Sequence, residues 1–139
     1  MAGSRVAVGG TLLLDGAAVA RLAAGDPLVR AHLEVARARR ARVVVSAVTL
    51  AEVLGVAEPG EAGVQEVLGR VVVHPVTVDI ARAAGSRVGG PENSTVDAIV
   101  GATASELARP VLLLTGTPEA HRADHPAGEE RDGIAVVPI

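Results

Sequence analysis

The sequence predicts an α/β fold in which short parallel strands, buried on both faces, alternate with helices. Two observations carry this reading. Short aliphatic runs recur, continuous rather than alternating in polarity, as strands covered on both sides require. Between them lie longer segments with helical spacing, and strands alternating with helices imply a sandwich with right-handed crossovers.

The elements follow in order. Thr11–Leu14 reads as the first strand, followed by an Ala-rich helix over 17–24. The segment 27–40 carries Leu28, Ala31, Val35 and Ala38 down one side, the spacing of an amphipathic helix. Val43–Val45 is the second strand, and 49–56 and 61–69 are helical. Val71–Val73 is the third strand, 77–88 and 95–108 the last helices, and Val111–Leu114 and Ile134–Val137 the remaining strands. No repeat or linker divides the chain, so 1–139 reads as one domain with His121–Gly133 as a flexible polar loop.

Composition narrows the chemistry. The 139 residues hold 13 basic and 16 acidic side chains, a formal net charge of −3, and every cation is Arg. Hydrophobic residues make up 49%, which argues against disorder, yet Phe, Tyr, Trp and Cys are absent. The core is therefore built from Ala, Val and Leu. Without cysteine there is no disulfide framework, thiolate metal site or thiol nucleophile. Without lysine there is no Schiff base and no P-loop lysine. Without aromatic rings, nucleic-acid bases cannot stack on Phe, Tyr or Trp. The opening segment resembles a secretory signal only faintly, because Gly9-Gly10 and Asp15 interrupt it. No apolar run reaches the roughly 20 residues of a membrane span. A cytoplasmic protein is expected.

In such sheets the working site lies outside the carboxyl ends of the strands. Asp15 follows the first strand, Ser46-Ala47-Val48-Thr49-Leu50-Ala51-Glu52 the second, and Thr115-Gly116-Thr117-Pro118-Glu119 the fourth. Asp97 opens the helix 95–108. Each acid has a local explanation as well. Thr49-x-x-Glu52 and Ser94-x-x-Asp97 fit the capping box, Thr117-Pro118 suits a helix start, and Asp15 can cap the helix behind it. Gathered in one place, however, carboxylates repel one another unless a cation lies between them. Hard oxygen ligands of this kind suit Mg²⁺ or Mn²⁺. Glu52 stands out, because it sits on the apolar helix Leu50-Ala51-Glu52-Val53-Leu54, where an inward carboxylate needs a partner.

Asp15, Ser46-x-x-Thr49-x-x-Glu52-Val53-Leu54, Val96-Asp97-Ala98-Ile99-Val100-Gly101-Ala102-Thr103-Ala104 and Leu112-Leu113-Leu114-Thr115-Gly116-Thr117-Pro118-Glu119 together resemble the PIN domain. More narrowly, they resemble the toxin ribonucleases of VapBC-type toxin–antitoxin pairs, over nearly the whole chain from Thr11 to Val137. The resemblance implies a three-layer α/β/α sandwich with a central, mostly parallel five-stranded sheet. It further implies an acidic pocket for Mg²⁺ or Mn²⁺, hydrolysis of RNA to leave a 5′-phosphate, a cognate antitoxin and a homodimer. Asp15, Glu52 and Asp97 match the family's first three acidic positions, as metal-binding and catalytic residues. The fourth departs: where the family usually has Asp in a Thr-x-Asp arrangement, this chain has Thr117. Glu119 or Asp124 could compensate. Thr115 either hydrogen-bonds within the site or ends the strand.

Arg37-Ala38-Arg39-Arg40-Ala41-Arg42 is the basic cluster, either a solvated helix end or a patch for RNA or an acidic partner. His121 and His125 bracket Asp124, but Pro126 and Gly128 argue for a loop rather than a shared metal site. His32 and His74 read as structural, and Gly89–Asn93 as a turn before the Asp97 helix. The functional expectation is a metal-dependent endoribonuclease toxin. Its rivals are an inert PIN domain that binds protein or RNA, and a receiver-like domain with Asp15 as phosphoacceptor. The last would want a lysine near the site, and the chain has none.

Overall fold

The computed structural model describes residues 9–56, 62–88, 94–122 and 130–139. The Gly89–Asn93 turn, Asp124 and His125 lie outside the described residues. All five expected strands form: β1 (Thr11–Leu14), β2 (Arg42–Ser46), β3 (Val72–His74), β4 (Val111–Thr115) and, last in the chain, β6 (Ile134–Pro138). A sixth, the two-residue β5 (Glu130–Arg131), makes the sheet six-stranded rather than five-stranded. It pairs antiparallel with β6, while all other neighbours run parallel, in the order β3-β2-β1-β4-β6-β5. Two polar residues and a Gly133 turn gave no aliphatic signal from which to foresee β5. Of the stretch His121–Gly133 expected as a flexible loop, residues 123–129 lie outside the described residues. His121, itself buried, closes a 3-10 turn at Pro118–His121.

The helices are α1 (Gly16–Ala23), α2 (Pro27–Ala38), α3 (Ala47–Val56), α4 (Ala62–Leu68), α5 (Val78–Gly85) and α6 (Thr95–Ala104). Four start on side-chain caps: Asp15, Asp26, Thr77 and Ser94 each accept a backbone N–H of the first turn. None of the helices is long and apolar enough to cross a membrane.

Strand alternation divides the core. Leu12, Leu14, Val45 and Leu114 pack with Ala18 and Val19 of α1, Val29, Leu33 and Ala36 of α2, and Val64 and Val67 of α4. Leu13, Val44, Leu113 and Val136 pack on the other face with Val100 and Ala104 of α6. Helix α5 lies outside α6, joined through Ile80 and Ala84 against Ala98 and Ala102. The small residues of α6 thus admit a neighbouring helix as well as the sheet.

Two expectations about burial are corrected. Helix α2 carries two apolar stripes, and the one that faces the sheet is Val29, Leu33 and Ala36. Leu28 and Val35, of the stripe marked in the sequence, remain half exposed. Strand β3 is an edge strand, so Val72 and Val73 are also substantially exposed rather than covered on both faces.

The chain steps from β1 through β2 to β3, then returns to place β4 on the other side of β1. The β1/β4 boundary is therefore the switch point, where such sheets open a crevice at their carboxyl ends. Leu13, wholly buried at the middle of β1, anchors it. Leu13→Ala is expected to cost about 3 kcal/mol, since the close-packed aliphatic surroundings cannot collapse to fill the gap. Urea denaturation followed by circular dichroism checks this.

Candidate active site at the sheet switch point

Asp15 ends β1 and is 7% exposed. Its Oδ1 accepts the Ala18 N–H at 2.9 Å, capping α1, and its Oδ2 accepts the Gly116 N–H at 2.9 Å from the end of β4. One carboxylate thus joins the two strands across the switch point. Capping and site-building, which compete in the sequence, are here the same act.

Asp97 enters from the first turn of α6. Ser94 Oγ accepts the Asp97 N–H at 3.1 Å and donates to Asp97 Oδ2 at 2.7 Å. The capping pair forms, but the carboxylate returns to the Ser94 hydroxyl rather than to the backbone. On the other side Thr117 Oγ1 donates to Asp97 Oδ1 at 2.9 Å. Thr117 in turn rests on Thr115, whose Oγ1 accepts the Thr117 N–H at 2.9 Å. Thr115 therefore both ends β4 and bonds within the site.

Glu52 lies on α3, which begins at Ala47 directly after β2. The Thr49–Glu52 capping box does not form, because the strand runs straight into the helix and Ser46 Oγ accepts the Val48 N–H at 3.2 Å. Thr49 falls inside the first turn, wholly buried, with no hydrogen-bond partner for its hydroxyl. One turn later the Glu52 carboxylate reaches α1. A Cβ at residue 16 would collide with Glu52 Oε1, so Gly16 makes room for it.

These contacts bring Asp15, Glu52 and Asp97 into one electrostatic group. The Glu52 side chain is exposed along its length, but its carboxylate rests against Gly16 and is partly withdrawn from water. That burial, and then the negative charges of Asp15 and Asp97, raise its pKa above the ordinary 4.5. Among the described residues, no three His, Cys, Asp or Glu side chains stand close enough to hold a metal ion as they are. The oxygens of Asp15 and Asp97 are engaged with N–H and O–H donors instead. The donor set nevertheless fits a hard divalent cation: oxygens only, mutually repelling, and drawn from three elements.

The other candidates fall apart from this group. Glu119 is exposed on the 3-10 turn, with no hydrogen bond or ion pair to the three carboxylates. Arg37, Arg39, Arg40 and Arg42 lie at the end of α2 and the start of β2. That is the amino end of the sheet, roughly 13 Å of strand from Ser46. A cavity of about 380 Å³ between α1, α2 and α4 contains Arg30, Arg37 and Arg70 but none of the three acids. Sequence reasoning missed two partners. The Gly116 amide has no side chain to mark it and lies 101 residues from Asp15. Gly16 leaves one cue, a glycine immediately after a strand-ending acid.

The raised Glu52 pKa has a stability consequence. Below its unfolded pKa, Glu52 is protonated in both states and costs nothing. As pH rises through the unfolded and then the folded pKa, ionisation favours the unfolded chain and stability is lost. In EDTA, Glu52→Gln is expected to melt at a higher temperature than wild type at pH 7.5, with the difference gone at pH 4. Melting curves followed by circular dichroism at the two pH values decide it.

The family model described as PIN domain matches residues 12–117, from β1 to Thr117 at the far wall of the site. No curated protein matches the sequence. Among solved structures, VapBC2 from Rickettsia felis bound to a DNA fragment from its promoter matches at a TM-score of 0.64 and 14% identity, over 93% of this chain and 98% of that chain. A toxin–antitoxin complex from Klebsiella pneumoniae matches at 0.67 and 21%, over 89% and 95%. FitAcB from Neisseria gonorrhoeae matches at 0.56 and 22%, over 91% and 96%. At such identities the likeness is one of fold. The family match spans the strands, the switch point and all three carboxylates, and the chain belongs to the PIN domain family.

Proposed function

We propose that this chain is a divalent-metal-dependent endoribonuclease, the toxin of a toxin–antitoxin pair. The observation that carries the reading is the convergence of Asp15, Glu52 and Asp97 at the switch point, with the Glu52 pKa raised by burial and then by the charges of the other two. PIN domains are generally nucleases, and the structural neighbours include toxin–antitoxin complexes. Three gathered acids are unfavourable for folding, and a cation-dependent reaction gives that cost a use.

Asp15, Glu52 and Asp97 would hold the ion, Mg²⁺ or Mn²⁺. When bound, such an ion supplies Lewis-acid polarisation of water and neutralises charge developing on a phosphodiester. The chain's own residues do the rest. Asp15 is fixed by the Ala18 and Gly116 amides, so its carboxylate has one orientation. Asp97 is fixed by Ser94 and Thr117. Glu52 has no hydrogen bond to either, so its carboxylate is the one left without donors, and a bound cation would offset the repulsion from Asp15 and Asp97 that helps to raise its pKa. RNA would be held through its phosphates and sugars, by arginine and backbone amides, because no aromatic platform exists.

The arginines at 37, 39, 40 and 42 are assigned to a partner or to RNA away from the cut, given their position at the other end of the sheet. A cognate antitoxin and a second copy of the chain complete the assembly we propose. Exposed Val72 and Val73 on β3, with Val76 and Val78 just after it in the chain, supply apolar surface for such association.

A second reading keeps a specific observation in its favour. Thr117 stands where the family's fourth acid is expected, which suits a PIN domain that binds without cutting. Asp97→Asn separates the two. Manganese-dependent cleavage of a single-stranded RNA is expected to fall at least about 100-fold, in line with loss of a ligand to a catalytic ion. Cleavage equal to wild type, followed on denaturing gels, would sink the nuclease assignment.

A further inference from the structure

The loop Thr115-Gly116-Thr117 touches both fixed carboxylates. The Gly116 N–H holds Asp15 Oδ2, and one residue on, Thr117 Oγ1 holds Asp97 Oδ1, each at 2.9 Å. The direction of the hydroxyl chain follows from counting hydrogens. Thr117 has one hydroxyl hydrogen and gives it to Asp97. In the 3.2 Å contact between the two threonine hydroxyls, Thr115 must therefore be the donor. Thr115 is wholly buried and its Oγ1 also receives the Thr117 N–H, so the pair is locked from beneath. Asp97 thus has a hydroxyl on each oxygen, Ser94 on one and Thr117 on the other.

We infer that Thr117 is a positioning residue: its hydroxyl sets the Asp97 carboxylate toward Asp15 and Glu52, and so sets the site's affinity for a divalent cation. The inference rests on the metal-site reading above and adds to it the residue that tunes the site. A carboxylate at 117 would face Asp97 without a hydrogen to offer, and would repel it. A hydroxyl holds the same place as a donor and leaves three negative charges instead of four. Gly116 keeps the loop close to α1, since a Cβ there would stand 2.7 Å from Ala17 Cβ. The spacing of the two carboxylates is therefore fixed by three consecutive residues.

Mn²⁺ binding to the 139-residue chain, measured by calorimetry, tests this alongside melting in EDTA. Thr117→Val removes the hydrogen bond without changing shape at an exposed position. It is expected to weaken Mn²⁺ binding roughly 10- to 100-fold, the usual effect of losing a group that orients a ligand, with melting in EDTA little changed. Thr117→Ser keeps the donor and is expected to bind within a few-fold of wild type. Thr117→Asp is expected to melt lower than wild type in EDTA and to gain more from added Mn²⁺. Equal affinity for wild type and Thr117→Val overturns the positioning role while leaving the metal site intact. Absence of Mn²⁺ binding by folded wild type overturns the metal-site reading and the inference with it.

Discussion

The Asp15 carboxylate is the constraint on which the rest of the site depends. Its two oxygens are spent on two backbone amides, one opening α1 and one ending β4. The β1/β4 boundary is the place where the sheet reverses its order of construction, and strands from opposite halves of the chain meet there with no covalent link. A buried carboxylate with an N–H on each oxygen is well satisfied, so the join is stable. It also sets a fixed negative charge at the mouth of the crevice. Asp97 and Glu52 are then brought up to that charge from α6 and α3.

Two kinds of carboxylate result. Asp15 and Asp97 are tied by donors on both oxygens and hold still. Glu52 leans over Gly16 with no such donors, and burial together with the charges of Asp15 and Asp97 raises its pKa. The strands that carry these groups are held by aliphatic clusters on both faces of β1 and β4. The absence of aromatic rings does not weaken this core. Small aliphatic side chains let α6 approach both the sheet and α5, through Val100 and Ala104 on one side and Ala98 and Ala102 on the other.

Much of this was legible in the chain. Continuous runs such as Leu12-Leu13-Leu14 declare strands buried on both faces, because no alternation is needed where both sides are covered. Asp15 and Ser94 announce helix starts by the chemistry of their side chains, whereas the caps at Asp26 and Thr77 emerged only with the structure. What misled was equally local. Thr49-x-x-Glu52 has the spacing of a capping box, but spacing does not say that β2 would run into α3 without a break. Leu28, Ala31, Val35 and Ala38 make a valid helical stripe, but Val29, Leu33 and Ala36 make another, and only the sheet chooses between them. Glu130 and Arg131 become a strand because β6 offers an open edge, not because of their own preference.

The sequence by itself determined the elements, the kind of core and the set of groups left for chemistry: oxygen ligands, arginine and backbone amides. Those properties belong to single residues and short spacings, which composition and periodicity report directly. Only the tertiary structure decided that Asp15 bonds to Gly116, that Thr117 gives its hydrogen to Asp97, and that Glu52 shares their field while Glu119 and the Arg37–Arg42 cluster do not. Such relations are set by which strand ends lie side by side. Strand order is a property of the whole packed chain, and no local pattern encodes it.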